Sequence, residues 1–110
     1  LYLYFPLSSR NEVGGEPDRD LADAVGAFHR GAEERAADWP AALLSTNTHD
    51  TKRSADVRAR IDVLSELPAE WLAAVARWRK LLAGRRTKAG SRTFPDANAE
   101  YLVPQTIVGT

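Results

Sequence analysis

Cysteine and methionine are both missing from these 110 residues. Without thiols there is no disulfide frame and no thiolate metal site, a usage that suits the cytosol. Histidine is scarce as well, with only His29 and His49. A metal centre built on them would need both rings to meet in space, and packing or surface placement is the simpler fate of each. No excess of either charge exists: 15 Lys and Arg balance 15 Asp and Glu. No overall field therefore gathers nucleic acid or an anionic membrane. No apolar run approaches the roughly 18 residues of a membrane span. The opening stretch Leu1 to Phe5 reads LYLYF; a secretory signal needs a charged segment before the apolar run and a small-residue cleavage site after it, and neither is expected here. The chain also stops on the apolar run Thr106 to Thr110. Both ends read as cut from a longer polypeptide. At this length one compact unit with a modest core and marginal stability is expected.

What the chain does have is helical spacing. Leu21, Val25, Phe28, Ala32, Ala36 and Trp39 recur at intervals of four and three, which predicts a helix from Asp18 or Asp20 to about Asp38, stopped by Pro40. A second helix is predicted over 54–66, capped by Ser54, with Val57, Ile61 and Leu64 on its inner face. A third over 68–83 has Pro68 at its first position, turns Trp71, Leu72, Val75, Trp78 and Leu82 inward, and ends near Gly84. Asp96 is placed to cap a last short helix through Glu100, Tyr101 and Leu102, which Pro104 should break or kink. Between the first two helices, Ala41-Ala42-Leu43-Leu44-Ser45-Thr46 is too short for a helix and reads as a buried strand opening into a polar loop. Tyr2, Tyr4, Phe5 and Leu7 fit either a short strand or the last turn of a helix. Ser8 to Pro17 is a loop in which Gly14 and Gly15 are free to take positive φ. Gly84 to Pro95 is a basic connector. The fold class is mainly α, with one or two short strands. The segment 1–53 holds a loop, a helix and the strand with its polar continuation, and 54–110 is helical.

The densest polar cluster is Ser45-Thr46-Asn47-Thr48-His49-Asp50-Thr51-Lys52-Arg53. It follows the presumed strand, and α/β barrels place catalytic groups at the carboxyl ends of their strands. A carboxylate there could stabilise an oxocarbenium-like centre or grip sugar hydroxyls, with the adjacent imidazole donating to another. The plainer alternative is that Thr51 or Asp50 caps the second helix and that Lys52 and Arg53 are solvated. Spacing alone favours the plainer one.

Longer stretches alter that balance. Leu43 to Arg60 resembles the signature of maltooligosyl trehalose synthases, in which a strand ends in Ser-Thr-x-Thr-His-Asp-Thr-Lys-Arg and passes into a helix reading Asp-Val-Arg-Ala-Arg. Asn11-Glu12-Val13-Gly14-Gly15 resembles that family's Asn-Glu-Val-Gly-Gly loop. Leu64-Ser65-Glu66-Leu67-Pro68 with Trp71 is similar to its Leu-Ser-Glu-x-Pro-x-x-Trp. Glu100-Tyr101-Leu102 with Gln105-Thr106 and Val108-Gly109 is similar to its Glu-Tyr-Leu-x-x-Gln-Thr-x-Val-Gly. The four segments come in family order. Gly84 to Thr93 has no counterpart, Pro104 stands where the family has a non-proline residue, and Leu1 to Phe5 is more apolar than usual there.

The resemblance implies a piece from the C-terminal part of a (β/α)8 barrel enzyme of the α-amylase clan, glycoside hydrolase family 13. Such an enzyme isomerises the reducing-end α-1,4 linkage of a maltooligosaccharide to α,α-1,1, through a covalent glucosyl intermediate and without a cofactor. It implies that Asp50 is the third, stabilising carboxylate and that His49 binds the same sugar ring. Lys52 and Arg53 would contact substrate or fix the loop, and Glu12 would line the site or hold its own loop. No segment resembles the nucleophile or the acid/base, so the implied partners are the maltooligosaccharide and the remainder of the enzyme, and this chain alone should be inactive. A rival of another class is a helical interaction module that offers the basic loop 85–92, with Arg85, Arg86, Lys88 and Arg92, to nucleic acid or an acidic partner. Neutral net charge counts against it. Trp71 and Trp78, seven apart on one helical face, read as core.

Overall fold

A computed structural model of the chain describes residues 6–15 and 22–110. Its elements are helix α1 (Ala24–Asp38), α2 (Ala55–Asp62), α3 (Pro68–Leu82), strands β1 (Thr87–Ala89) and β2 (Arg92–Phe94), and α4 (Ala97–Gly109). Short 3-10 turns lie at Ser8–Arg10, Val63–Ser65 and Ala83–Arg85. The mainly α fold expected from the apolar spacing is what forms. The expected strand or helix at Tyr2, Tyr4 and Phe5, and the residues Asp18, Asp20 and Leu21, lie outside the described residues. Ala22 and Asp23 form a turn, so the helix begins at Ala24 and does not run unbroken from Asp18 or Asp20.

α2 begins as its sequence dictates. Ser54 is extended, and its hydroxyl accepts the Val57 N–H at 3.3 Å. The last turn of the predicted 54–66 helix tightens into the 3-10 turn at Val63–Ser65. α3 starts on Pro68, whose missing N–H costs nothing at a helix start, and closes through the 3-10 turn that contains Gly84.

The core lies where α2, α3, α4 and the Ser8–Arg10 turn meet. Ile61 is fully buried, and Trp71 and Val75 are nearly so. Trp71 stacks edge-on against Trp78 at 5.8 Å, and its indole N–H donates to the Tyr101 hydroxyl at 2.9 Å. Gln105 is also fully buried, and its side-chain oxygen accepts the Ser8 N–H at 2.7 Å, tying α4 to the N-terminal turn. α4 approaches α2 closely at Gly109, where a Cβ would stand 2.8 Å from Val57 Cγ1. Arg60 of α2 reaches back to the Gly109 and Thr110 carbonyls at 3.2 and 2.9 Å, satisfying acceptors that a helix end leaves open.

On α3, Leu72 and Leu82 stay exposed and do not turn inward as expected. Four further expectations need correction. Pro104 does not end the last helix; α4 runs through it to Gly109. Pro104 has no N–H to give the Glu100 carbonyl four residues back, yet the helix continues through it, with Pro104 itself buried. The basic connector is not featureless, since Thr87 pairs with Phe94 and Ala89 with Arg92 in an antiparallel hairpin. Its two-residue loop opens on Gly90 at φ +63°, as a type II′ turn requires.

Ala41 to Thr46 forms no strand and is not buried; Leu43 is 99% exposed and Leu44 76%. A strand is held by hydrogen bonds to a neighbouring strand, and the described residues give this segment none. The apolar face of α1 is likewise uncovered. No residue of that helix is buried, and Val25, Phe28 and Trp39 are exposed. The radius of gyration, 17.8 Å, exceeds the roughly 13 Å of a compact chain of this length. The apolar spacing sufficed to form α1, but among the described residues none buries its apolar face.

Candidate functional site

The polar cluster folds into a closed turn. The Thr51 N–H donates to the Thr48 carbonyl at 3.1 Å, and the Thr48 N–H donates to the Thr51 hydroxyl oxygen at 2.5 Å. His49 and Asp50 occupy the tip. Their side chains face each other, His49 Nε2 to Asp50 Oδ2 at 3.3 Å, and are 91% and 66% exposed. Just upstream, Ser45 Oγ donates to the Asn47 carbonyl at 2.5 Å. Asn47 Oδ1 then accepts the Ala55 N–H at 2.8 Å. Asn47 and Ser54 thus share the N-terminus of α2 between them.

That division of labour settles one alternative left open by spacing. Neither Asp50 nor Thr51 caps the second helix. Thr51 closes the turn, and among the described residues the Asp50 carboxylate meets the His49 ring and no helix N–H.

Beneath the turn lies Glu12. Its carboxylate accepts the Val13 N–H at 2.9 Å and, through both oxygens, the Lys52 N–H at 3.1 Å. Gly14, at φ +71°, turns the chain there in a conformation that suits glycine. The Arg58 guanidinium lies 3.4 Å from Glu12 Oε2. The Val13 N–H above all, then the Lys52 N–H, the Arg58 charge and the Arg53 N–H, hold the Glu12 carboxyl below its ordinary range against an opposing push from burial. Glu12 therefore sits at an anchoring point of the loop.

Arg58 was not singled out by sequence reasoning. From α2 it donates to the Arg53 carbonyl and the Thr46 carbonyl, each at 2.6 Å, spanning both ends of the His49–Asp50 loop. Its one sequence signal was membership of the Asp56-Val57-Arg58-Ala59-Arg60 stretch. Arg53 donates to the Ser8 carbonyl at 3.3 Å, a loop-fixing contact. The Lys52 backbone is pinned by Glu12 while its side chain is exposed. An open groove of about 440 Å³ runs past Glu12, Val13, Thr46, Thr48, Asp50 and Arg58. Asp50 and Glu12 border it. His49, Lys52 and Arg53 do not.

The other candidates separate. His29 is exposed on α1 beside Phe28, and the described residues contain no group of three or more His, Asp or Glu that could hold a metal. No helix among them is long and apolar enough to cross a membrane. The basic connector does not present one cationic face. Arg86 is drawn into a two-pronged pair with the buried Glu100, Nε to Oε1 at 2.5 Å and an NH2 contact to Oε2 at 2.9 Å. Arg79 adds a contact at 3.3 Å, and Arg86 foremost holds the Glu100 carboxyl below its ordinary range. Lys88 and Arg92 fall on opposite faces of the hairpin, because neighbouring strand positions alternate.

No family model matches the chain, and no solved structure matches it. By sequence it is kin to a carbohydrate-active enzyme. Over 103 residues, 94% of its length, it is 44% identical to a protein of Mycobacterium tuberculosis strain CDC 1551 / Oshkosh named "Putative maltooligosyl trehalose synthase". The same figures hold for the protein of that name in strain ATCC 25618 / H37Rv. A match of that extent takes in the whole loop from Ser45 to Arg53. The resemblance to maltooligosyl trehalose synthases, read from four short segments, therefore holds along nearly the entire chain. The chain spans 12% of the length of these relatives.

Proposed function

We propose that this chain is the segment of a maltooligosyl trehalose synthase that supplies Asp50, the stabilising member of a three-carboxylate site. The observation that carries the reading is the 44% identity over 103 residues, a stretch that includes the His49–Asp50 loop. The reaction is an intramolecular transglucosylation. A nucleophilic carboxylate opens the reducing-end α-1,4 linkage while an acid protonates the leaving oxygen, and the anomeric hydroxyl of the released glucose then attacks the glucosyl intermediate to give the α,α-1,1 linkage. Two carboxylates roughly 5 Å apart do the bond-making. Both belong to the remainder of the enzyme, a (β/α)8 barrel of glycoside hydrolase family 13, together with the cover over the exposed faces of α1 and Leu43–Leu44.

Asp50 makes no covalent bond in this scheme. Its charge faces the positive character that develops on the sugar ring and binds ring hydroxyls, and His49 donates to a hydroxyl of the same ring. The geometry supports this because the Asp50 carboxylate caps no helix and borders an open groove. The test is Asp50→Asn in the full-length protein that carries this segment. Turnover of maltooligosaccharide to the trehalose-ended product should fall on the order of 10²–10³-fold, with ground-state binding comparatively intact. Near-normal turnover would refute the assignment.

A further inference from the structure

We propose that Arg58 and Glu12 are a positioning pair that sets the placement of the His49–Asp50 turn, acting on the reaction through the backbone without touching sugar. The inference rests on the reading of Asp50 given above. The turn is closed on itself by Thr48 and Thr51, so it moves as a unit, and its placement is decided where it joins the rest of the chain. Those two joins are what Arg58 holds, with one guanidinium nitrogen on the Thr46 carbonyl and another on the Arg53 carbonyl, each at 2.6 Å.

A planar guanidinium fixes two acceptors at a set separation and direction, which an ammonium cannot do. Glu12 completes the clamp. Both its oxygens take the Lys52 N–H, and its charge lies 3.4 Å from the Arg58 cation. Arg58 and Glu12 are only 23% and 24% exposed, whereas the turn they carry is open to solvent. Glu12 was expected to line the site or to hold its loop. With its oxygens taken up by Val13, Lys52 and Arg58, it holds the loop.

The full-length protein carrying this segment provides the test, through kcat and KM for maltooligosaccharide in Arg58→Lys, Asp50→Asn and the double variant. Arg58→Lys should lower kcat about 10–100-fold, the usual penalty for a lost supporting partner, and change KM by no more than about threefold. On the Asp50→Asn background it should cost at most about threefold, because the group it positions is already gone. An equal cost in both backgrounds would mean general structural support and would overturn the proposal. So would unchanged kcat in Arg58→Lys beside a collapsed Asp50→Asn, a result that leaves the Asp50 reading standing. Normal turnover in Asp50→Asn would remove that reading and this one with it. Should Arg58→Lys fail to fold, Glu12→Gln carries the same comparison. Faster hydrogen exchange at the Lys52 amide in Glu12→Gln supports the clamp, and unchanged exchange there counts against it.

Discussion

If Asp50 is not a helix cap, removing it must cost little stability, while removing the residues that do cap α2 must cost more. Ser54 Oγ accepts the Val57 N–H and Asn47 Oδ1 accepts the Ala55 N–H, so each satisfies a donor that the helix cannot. Ser54→Ala and Asn47→Ala should each destabilise by about 1 kcal/mol, the usual cost of a lost cap. In a unit of this size that lowers Tm by roughly 4–8 °C. Asp50→Ala removes only the contact to His49 at 3.3 Å between two exposed side chains. Solvent screens such a pair, and the loss should stay within about 0.5 kcal/mol. Urea unfolding followed by far-UV circular dichroism, on all three variants at one pH and salt, measures the contrast. An Asp50→Ala loss as large as that of Ser54→Ala would restore the capping role and take away the argument that the carboxylate is free for chemistry.

Gly109→Ala should destabilise the chain by about 1–3 kcal/mol through overpacking, because the new Cβ would stand 2.8 Å from Val57 Cγ1. Adding Val57→Ala should recover part of that loss in denaturant unfolding, and strict additivity would refute the contact. Acid should loosen α4 from the hairpin. The folded-state pKa of Glu100 is lowered by Arg86 and then Arg79, so its contribution is present above the ordinary value of 4.5 and is lost as pH falls through the lower folded value. Glu100→Gln should flatten the acid limb of the stability curve, and an unchanged limb would remove Glu100 as its source.

Three helices were legible in the sequence because helical hydrogen bonds are local, each joining residues four apart. Ser54 and Asp96 cap where their residue types predicted, and Pro68 opens α3 for the same reason. The four family-like segments were legible too, since a resemblance is carried by residue order and needs no geometry. Tertiary structure decided the rest. Strand pairing depends on a neighbour, so Ala41–Thr46, strand-like in composition, stayed exposed coil, while the basic connector found its own partner across Gly90 and became a hairpin. Burial depends on what lies opposite, so the apolar stripe of α1 formed a helix without forming a core. The support beneath Asp50 joins Glu12 to Lys52 across 40 positions and to Arg58 across 46. No local pattern encodes contacts at that range; they exist only once the Ser8–Arg10 turn has docked against α2 and brought the Glu12 carboxylate under the loop.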